Sequence, residues 1–167
     1  MQVTIIGTGN MARGIGSRVL AGGHDLTVVG KDSERAEAVA ADIGGDGTVK
    51  TAVAGDPIEG VVVVLAVYYP DARAAAQQYA HQLAGNTTFA GPLTSGDVAG
   101  HKLDVLIAGD DGDAKGKVAA LARDGGLNPI DVGPLRRARE LEAAGLLNMG
   151  VQSSLGTGFA SALKIVA

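Results

Sequence analysis

Val3-Thr4-Ile5-Ile6-Gly7-Thr8-Gly9-Asn10-Met11-Ala12 is the stretch on which the reading of this chain turns. Its first four residues are a β-branched run that stops at a glycine, the mark of a short buried strand. Beyond it Met11, Ile15 and Val19 recur at helical spacing until Gly22-Gly23 ends the run. A glycine-rich turn thus joins a strand to a helix. Gly7 permits a tight turn, and Gly9 lets the backbone approach a pyrophosphate with no side chain between. Ala12 fills the small position that brings helix and strand together. The helix start offers unpaired N–H groups and the positive end of its dipole to an anion. Thr8 and Asn10 add polar donors on the same loop. A turn needing glycine only for its backbone angles would share the hexapeptide, but order, spacing and flanking elements here favour a dinucleotide site.

Reading outward, Leu26 to Val29 is a second strand, and Ser33 can cap a helix carrying Ala36, Val39, Ala40 and Ile43 on its apolar side before Gly44-Gly45. Thr48 to Val53 is a weaker strand, followed by a turn or short helix at Asp56-Pro57-Ile58-Glu59. Val61 to Val67 is apolar on both parities, as in a strand covered on both faces of a parallel sheet. Pro70 suits the first turn of a helix to about Leu83, with Gly85 as its stop. This alternation predicts an α/β fold, a doubly wound parallel sheet of the Rossmann NAD(P)-binding type in a single domain. Residues 1–85 would form its core and 86–167 its second half.

The rhythm then breaks: residues 86–102 offer neither a strand nor a helix, which is unusual inside a compact domain. It resumes with a strand at Leu103 to Ala108 and a helix at Ala114 to Arg123, whose apolar positions are Val118, Leu121 and Ala122. A short strand at Pro129 to Val132 follows, then a helix at Leu135 to Leu147 with Leu135, Ala138, Leu141 and Leu146 inward. The tail from Leu155 to Ala167 would close the fold.

At 167 residues the chain holds one core comfortably. Hydrophobic residues at 46 % and charged residues at 19 % are a globular composition. A net charge of −4 with 3 % aromatics argues against nucleic-acid partners, which call for basic stripes and stacking platforms. Without cysteine there is no disulfide, thiolate metal site or cysteine nucleophile. No apolar run reaches membrane-spanning length, and the N-terminus lacks signal-peptide character, so a cytoplasmic protein is expected. His24, His81 and His101 are scattered without ligand spacing, so no metal site is expected. Nor does any serine stand in a nucleophile elbow.

The end of the second strand separates NAD from NADP. An NAD enzyme carries an acid there for the ribose hydroxyls. This chain has Gly30, with Lys31, Ser33 and Arg35 following, and two cations with a hydroxyl suit a 2′-phosphate. Asp32 could serve a diol if turned inward, and Lys31 to Arg35 could equally be a solvated helix start. NADP is the expected cofactor. Ala66-Val67-Tyr68-Tyr69-Pro70 lies at the carboxyl edge where open α/β sheets bind ligands, so Tyr68 or Tyr69 could line a nicotinamide pocket or simply pack over the edge. Arg136, Arg137 and Arg139 form a basic cluster that reads best as a solvated face.

These motifs together resemble the coenzyme F420-dependent NADP reductase family. The resemblance is carried by Gly7 to Ala12, by Val29 to Arg35 and by Ala66-Val67 before Pro70. In the second half it rests on Asn86-Thr87-Thr88-Phe89-Ala90, Ala108-Gly109-Asp110-Asp111, Asp131-Val132-Gly133-Pro134-Leu135, Arg139-Glu140-Leu141-Glu142 and Gly156-Thr157-Gly158-Phe159. It implies hydride transfer between NADPH and the deazaflavin F420 as co-substrate, a reaction in which the protein supplies proximity and orientation and no acid–base residue is required. It further implies that Thr8, Asn10 and Met11 hold the pyrophosphate, that Lys31 and Arg35 hold the 2′-phosphate, that Ala66 and Val67 border the nicotinamide, and that Asn86 and Thr87 lie near the hydride site. The partners are then small-molecule cofactors, and a homodimer is open.

One departure stands out. The family pattern has a strand, a helix and a further strand between the equivalents of Gly85 and Asn86, so a segment missing at that junction is expected. Two other readings stay open: an NADP-binding sensor or interaction module without turnover, and an enzyme like pyrroline-5-carboxylate reductase, whose loop also reads Gly-Asn-Met-Ala but whose helical dimerisation domain is not evident.

Overall fold

The structure, a computed structural model, describes residues 1–68, 70–72, 74–75 and 90–166. β1 (Gln2–Ile6) is the centre of a parallel sheet, flanked by β2 (Asp25–Gly30) and β4 (Val62–Leu65), with β3 (Val49–Val53) beyond β2, in the order β3-β2-β1-β4. The central position explains why Val3, Thr4, Ile5 and Ile6 are all buried, whereas Lys50 and Thr51 of the edge strand are exposed. α1 (Asn10–Ala21) and α2 (Ser33–Asp42) make the crossovers. Val3, Ile5, Ala12, Val19, Leu20, Leu26, Val28 and Val39 form the first core. This is the α/β arrangement expected, a parallel central sheet with flanking helices.

The second half differs in detail. Residues 86–102 were expected to lack regular structure, yet α3 (Ala90–Ser95) and an antiparallel pair, β5 (Asp97–Val98) with β6 (His101–Lys102), occupy the described part of this stretch. α3 contains glycine and proline, so propensity hides it. Tertiary packing supplies its stability, because Pro92 and Leu93 are buried and Leu93 joins the second core. β7 (Asp104–Ala108) and β8 (Asn128–Gly133) pair in parallel with each other and, among the described residues, not with the first sheet. α4 (Gly112–Asp124) crosses between them.

Three further expectations are corrected. The strand read over Val61 to Val67 is confined to β4, which among the described residues forms one end of its sheet; its residues are half-buried and Val61 is exposed. The helix placed at Leu135 to Leu147 opens as a 3-10 turn, Leu135–Arg137, with the Leu135 N–H donating to Asp110 Oδ1 at 2.9 Å. It continues as α5 (Ala138–Gly150), followed by the short α6 (Gln152–Leu155). That phase turns Leu135 and Leu146 outward and brings Asn148 and Gln152 inward. The Gln152 amide donates to the Asn148 carbonyl at 2.7 Å and to Ser161 Oγ at 2.6 Å, while Thr157 Oγ1 donates back to Gln152 Oε1 at 2.8 Å. A satisfied buried polar network outweighs the leucine pattern in fixing the helix rotation.

α1 is the seam between the halves. Gly16 faces Leu26 and Ile43 of the first core, and Gly14 faces Ala90 and Leu93 of α3. Arg18 donates to the Thr94 carbonyl at 2.6 Å, and Gly125 fits against the Arg18 backbone so closely that a Cβ there would lie 2.7 Å from its carbonyl oxygen. The tail closes the second half as expected: Ala162 packs on that core, and Asp104, 2 % exposed, accepts from Lys164 Nζ, from Asn128 at 2.7 Å and from the Ile165 N–H at 2.8 Å. Burial pushes the Asp104 carboxyl up, but these donors more than offset it and hold it below the usual carboxylate range.

Candidate functional site

The loop between β1 and α1 lies at the carboxyl edge of the first sheet, where open α/β sheets bind ligands. Gly7 has φ +128°, its N–H donates to the Val29 carbonyl at 2.9 Å, and a Cβ on it would lie 2.2 Å from the Ala66 carbonyl oxygen. Only glycine fits there, wedged between the ends of β2 and β4. Gly9 is different. Its φ of −86° suits any residue, and a Cβ on it would meet nothing within 4 Å. The fold does not need glycine at this position, so the open space in front of it is where a ligand would come close.

The helix start behind that space is uncapped. No side chain accepts from the first N–H groups of α1, whereas Asp32 caps α2 and Asp111 caps α4. An uncapped N-terminus facing open space suits an anionic oxygen better than a carboxylate of the chain itself. Gly9 and Asn10 are exposed and Thr8 is half-buried. The Met11 side chain packs on the second core, so its contribution to an anion is limited to its N–H. Sequence reading missed Arg13, which lies one turn into the helix. Its Nη1 donates to the Thr8 carbonyl at 3.0 Å and its Nε to Asp42 Oδ2 at 2.8 Å, tying the loop to the end of α2.

The turn after β2 completes one wall. A Cβ on Gly30 would lie 2.6 Å from the Asp32 carbonyl oxygen and 3.2 Å from the Ala36 backbone, so the tight turn itself excludes an acid at this position. Asp32, not Ser33, caps α2: its Oδ1 accepts from the Arg35 N–H at 2.9 Å, and its Oδ2 lies 3.5 Å from Arg35 Nε. A carboxylate one residue earlier satisfies the same orphan donor and also favours the positive helix end. Thus engaged, Asp32 is not turned inward toward a diol. Ser33 is the first residue of α2, and Lys31, Ser33 and Arg35 are all exposed beside this edge. Lys31 Nζ lies 3.9 Å from Asp71 Oδ2.

On the other wall Ala66 and Val67 are half-buried, and the Ala66 N–H continues the ladder to the Ile6 carbonyl at 2.8 Å. Tyr68 is 86 % exposed and stands over the sheet edge without packing on it. Residues 70–72 are helical, as Pro70 suggested. Tyr69, Asn86, Thr87 and the Gly85–Asn86 junction lie outside the described residues. The structure therefore brings Gly7, Thr8, Gly9, Asn10, Lys31, Ser33, Arg35, Ala66 and Val67 to one sheet edge. The arginines at 136, 137 and 139 are exposed and belong to the other half of the chain, with Arg137 3.8 Å from Glu140.

Residues 2–88 match the family described as NADP oxidoreductase, coenzyme F420-dependent. Among solved structures, the chain superposes on one assigned as an F420-dependent NADP reductase from Arthrobacter sp. FB24, with TM-score 0.74, 19 % identity and 99 % of each chain covered. An imine reductase from Pseudomonas sp. matches with TM-score 0.59 and 18 % identity over 94 % of this chain and 64 % of its own. An imine reductase variant from Myxococcus stipitatus, solved with NAD+, matches with TM-score 0.57 and 16 % identity over 95 % of this chain and 61 % of its own. No curated protein matches by sequence. The structural likenesses establish the Rossmann-like fold, while the family match spans more than half of the sequence and includes every strand of the first sheet. The chain accordingly belongs to the coenzyme F420-dependent NADP oxidoreductase family.

Proposed function

We propose that this protein binds NADPH along the carboxyl edge of the β3-β2-β1-β4 sheet and passes a hydride between it and a deazaflavin, F420. The observation that carries the reading is the uncapped start of α1 beneath the open space at Gly9, with Lys31 and Arg35 exposed on the adjoining turn. The pyrophosphate would lie on the N–H groups of Gly9, Asn10 and Met11, with the Thr8 and Asn10 side chains beside it. Lys31, Arg35 and the Ser33 hydroxyl would take the 2′-phosphate, and Ala66 and Val67 would border the nicotinamide, with Tyr68 over the edge. Asn86 and Thr87 would lie near the hydride site.

When bound, NADPH supplies the hydride and the oxidised deazaflavin accepts it together with a proton from solvent. The chain's part is to fix the dinucleotide in one orientation and to keep one nicotinamide face open. The test is an NADPH titration followed by mixing with oxidised F420. Bleaching of the deazaflavin absorbance supports the reductase. Tight NADPH binding without bleaching supports a sensor or interaction module of the same nucleotide, and no NADPH binding overturns both.

A further inference from the structure

We propose that Asp71 tunes nucleotide affinity by competing with the 2′-phosphate of the dinucleotide for Lys31. The inference rests on the NADP reading above. The ends of β2 and β4 lie on opposite sides of β1, about 10 Å apart at two strand spacings. Lys31 follows β2 and Asp71 follows β4, so their contact at 3.9 Å spans the end of β1, where Gly7 sits between the ends of the two strands. Asp71 is held for this role, since its N–H donates to the Tyr68 carbonyl at 2.9 Å in the first turn of the helix opened by Pro70.

Arg35, the other cation of the turn, is also paired, but its partner Asp32 sits three residues away on the same helix start and moves with it. Among the described residues, Asp71 is the carboxylate that reaches Lys31 from the opposite wall. A dinucleotide entering over this edge must separate Lys31 from Asp71, and only a ligand with a 2′-phosphate gives Lys31 a dianionic replacement. NADH would break the same pair without providing one. The carboxylate thus weakens binding of both nucleotides slightly and alike, and the preference for the phosphate is left to Lys31. The Lys31 and Asp71 side chains are 79 % and 55 % exposed, so the pair belongs to the weak class of surface ion pairs.

The experiment is a double-mutant cycle on NADPH affinity, with NADH measured in parallel at low salt. Asp71→Asn should tighten NADPH and NADH alike by about two- to fivefold, the range of an exposed ion pair. In a Lys31→Ala background the same substitution should leave NADPH affinity unchanged. Added salt should erase the gain. If Asp71→Asn leaves the parent unchanged, or acts equally with and without Lys31, the proposal is overturned. Failure of the underlying NADP reading has its own signature: Lys31→Ala would then weaken NADPH no more than NADH.

Discussion

At the residue scale two glycines two positions apart do opposite jobs. Gly7 is required by the fold, since any side chain would strike the Ala66 carbonyl, whereas Gly9 is required only by a ligand. This separation makes Gly9→Val a clean test. The variant should keep the parent's thermal midpoint within a degree or two, roughly the spread of a neutral surface change. Its NADPH affinity should fall by more than about tenfold, because at least one charge-assisted hydrogen bond of roughly 1.5–3 kcal/mol is lost. Titration and thermal unfolding read the two properties separately, and a folded variant that binds like the parent removes the phosphate-loop assignment. Lys31 and Arg35 supply the second residue-scale expectation. Replacing either by alanine should weaken NADPH by about tenfold or more and NADH by less than about twofold. Equal losses for the two nucleotides would show that the turn is only a solvated helix start.

At the element scale α1 is the organising piece. It carries the loop at its N-terminus and joins two cores along its sides, and its small residues let it approach both. Gly125 marks the contact of α4 with α1 and Gly116 marks the solvent side of α4, so one substitution made at each gives opposite results. Gly125→Ala must push a Cβ toward the Arg18 carbonyl and should cost about 1–3 kcal/mol, as overpacking does. Gly116→Ala meets nothing within 4 Å on an exposed helix surface and should stabilise by roughly 0.5–1 kcal/mol through helix propensity. Chemical denaturation measures both. Two destabilised variants, or two stabilised ones, would mean that α1 and α4 do not meet as described.

At the scale of the whole molecule, two features point beyond the chain. The first is the C-terminal surface, where Leu146 and Leu147 are each 65 % exposed beside Met149 and Leu155 because the polar network claims the inner side of α5. We expect this surface to be covered by a second copy, giving a homodimer. Changing Leu146 and Leu147 together to Glu should raise the dimer dissociation constant at least about a hundredfold, since each buried leucine is worth roughly 1.5–3 kcal/mol. Sedimentation at several concentrations reads this, and an already monomeric parent would refute it. The second feature is that, among the described residues, β7 and β8 pair with each other and not with the first sheet. The Gly85–Asn86 junction, where the sequence leads us to expect a missing segment, lies outside the described residues, and mass tests it directly. The protein from its natural source should then have an intact mass above the 16.6 kDa of these residues. A mass equal to that value would show the short form to be complete, and the reading without turnover would take precedence.

What the sequence determined by itself was local. A strand stopping at Gly7, a helix starting at Asn10 and cations after Gly30 each follow from neighbours within a few residues, because turn geometry and helix starts are set by nearby backbone. The parallel sheet was legible for the same reason, as each strand carried its own apolar pattern. Tertiary structure decided what depends on distant partners. α3 forms because Gly14 leaves room for it, against its own poor propensity. α5 turns Leu146 and Leu147 outward because Asn148 and Gln152 find partners in each other and in Thr157 and Ser161. Asp71 reaches Lys31 across forty positions, and nothing near either residue announces it. Periodicity records which face a segment could bury. Packing and the satisfaction of buried polar groups choose the face it does bury, and those energies exist only once the chain has folded.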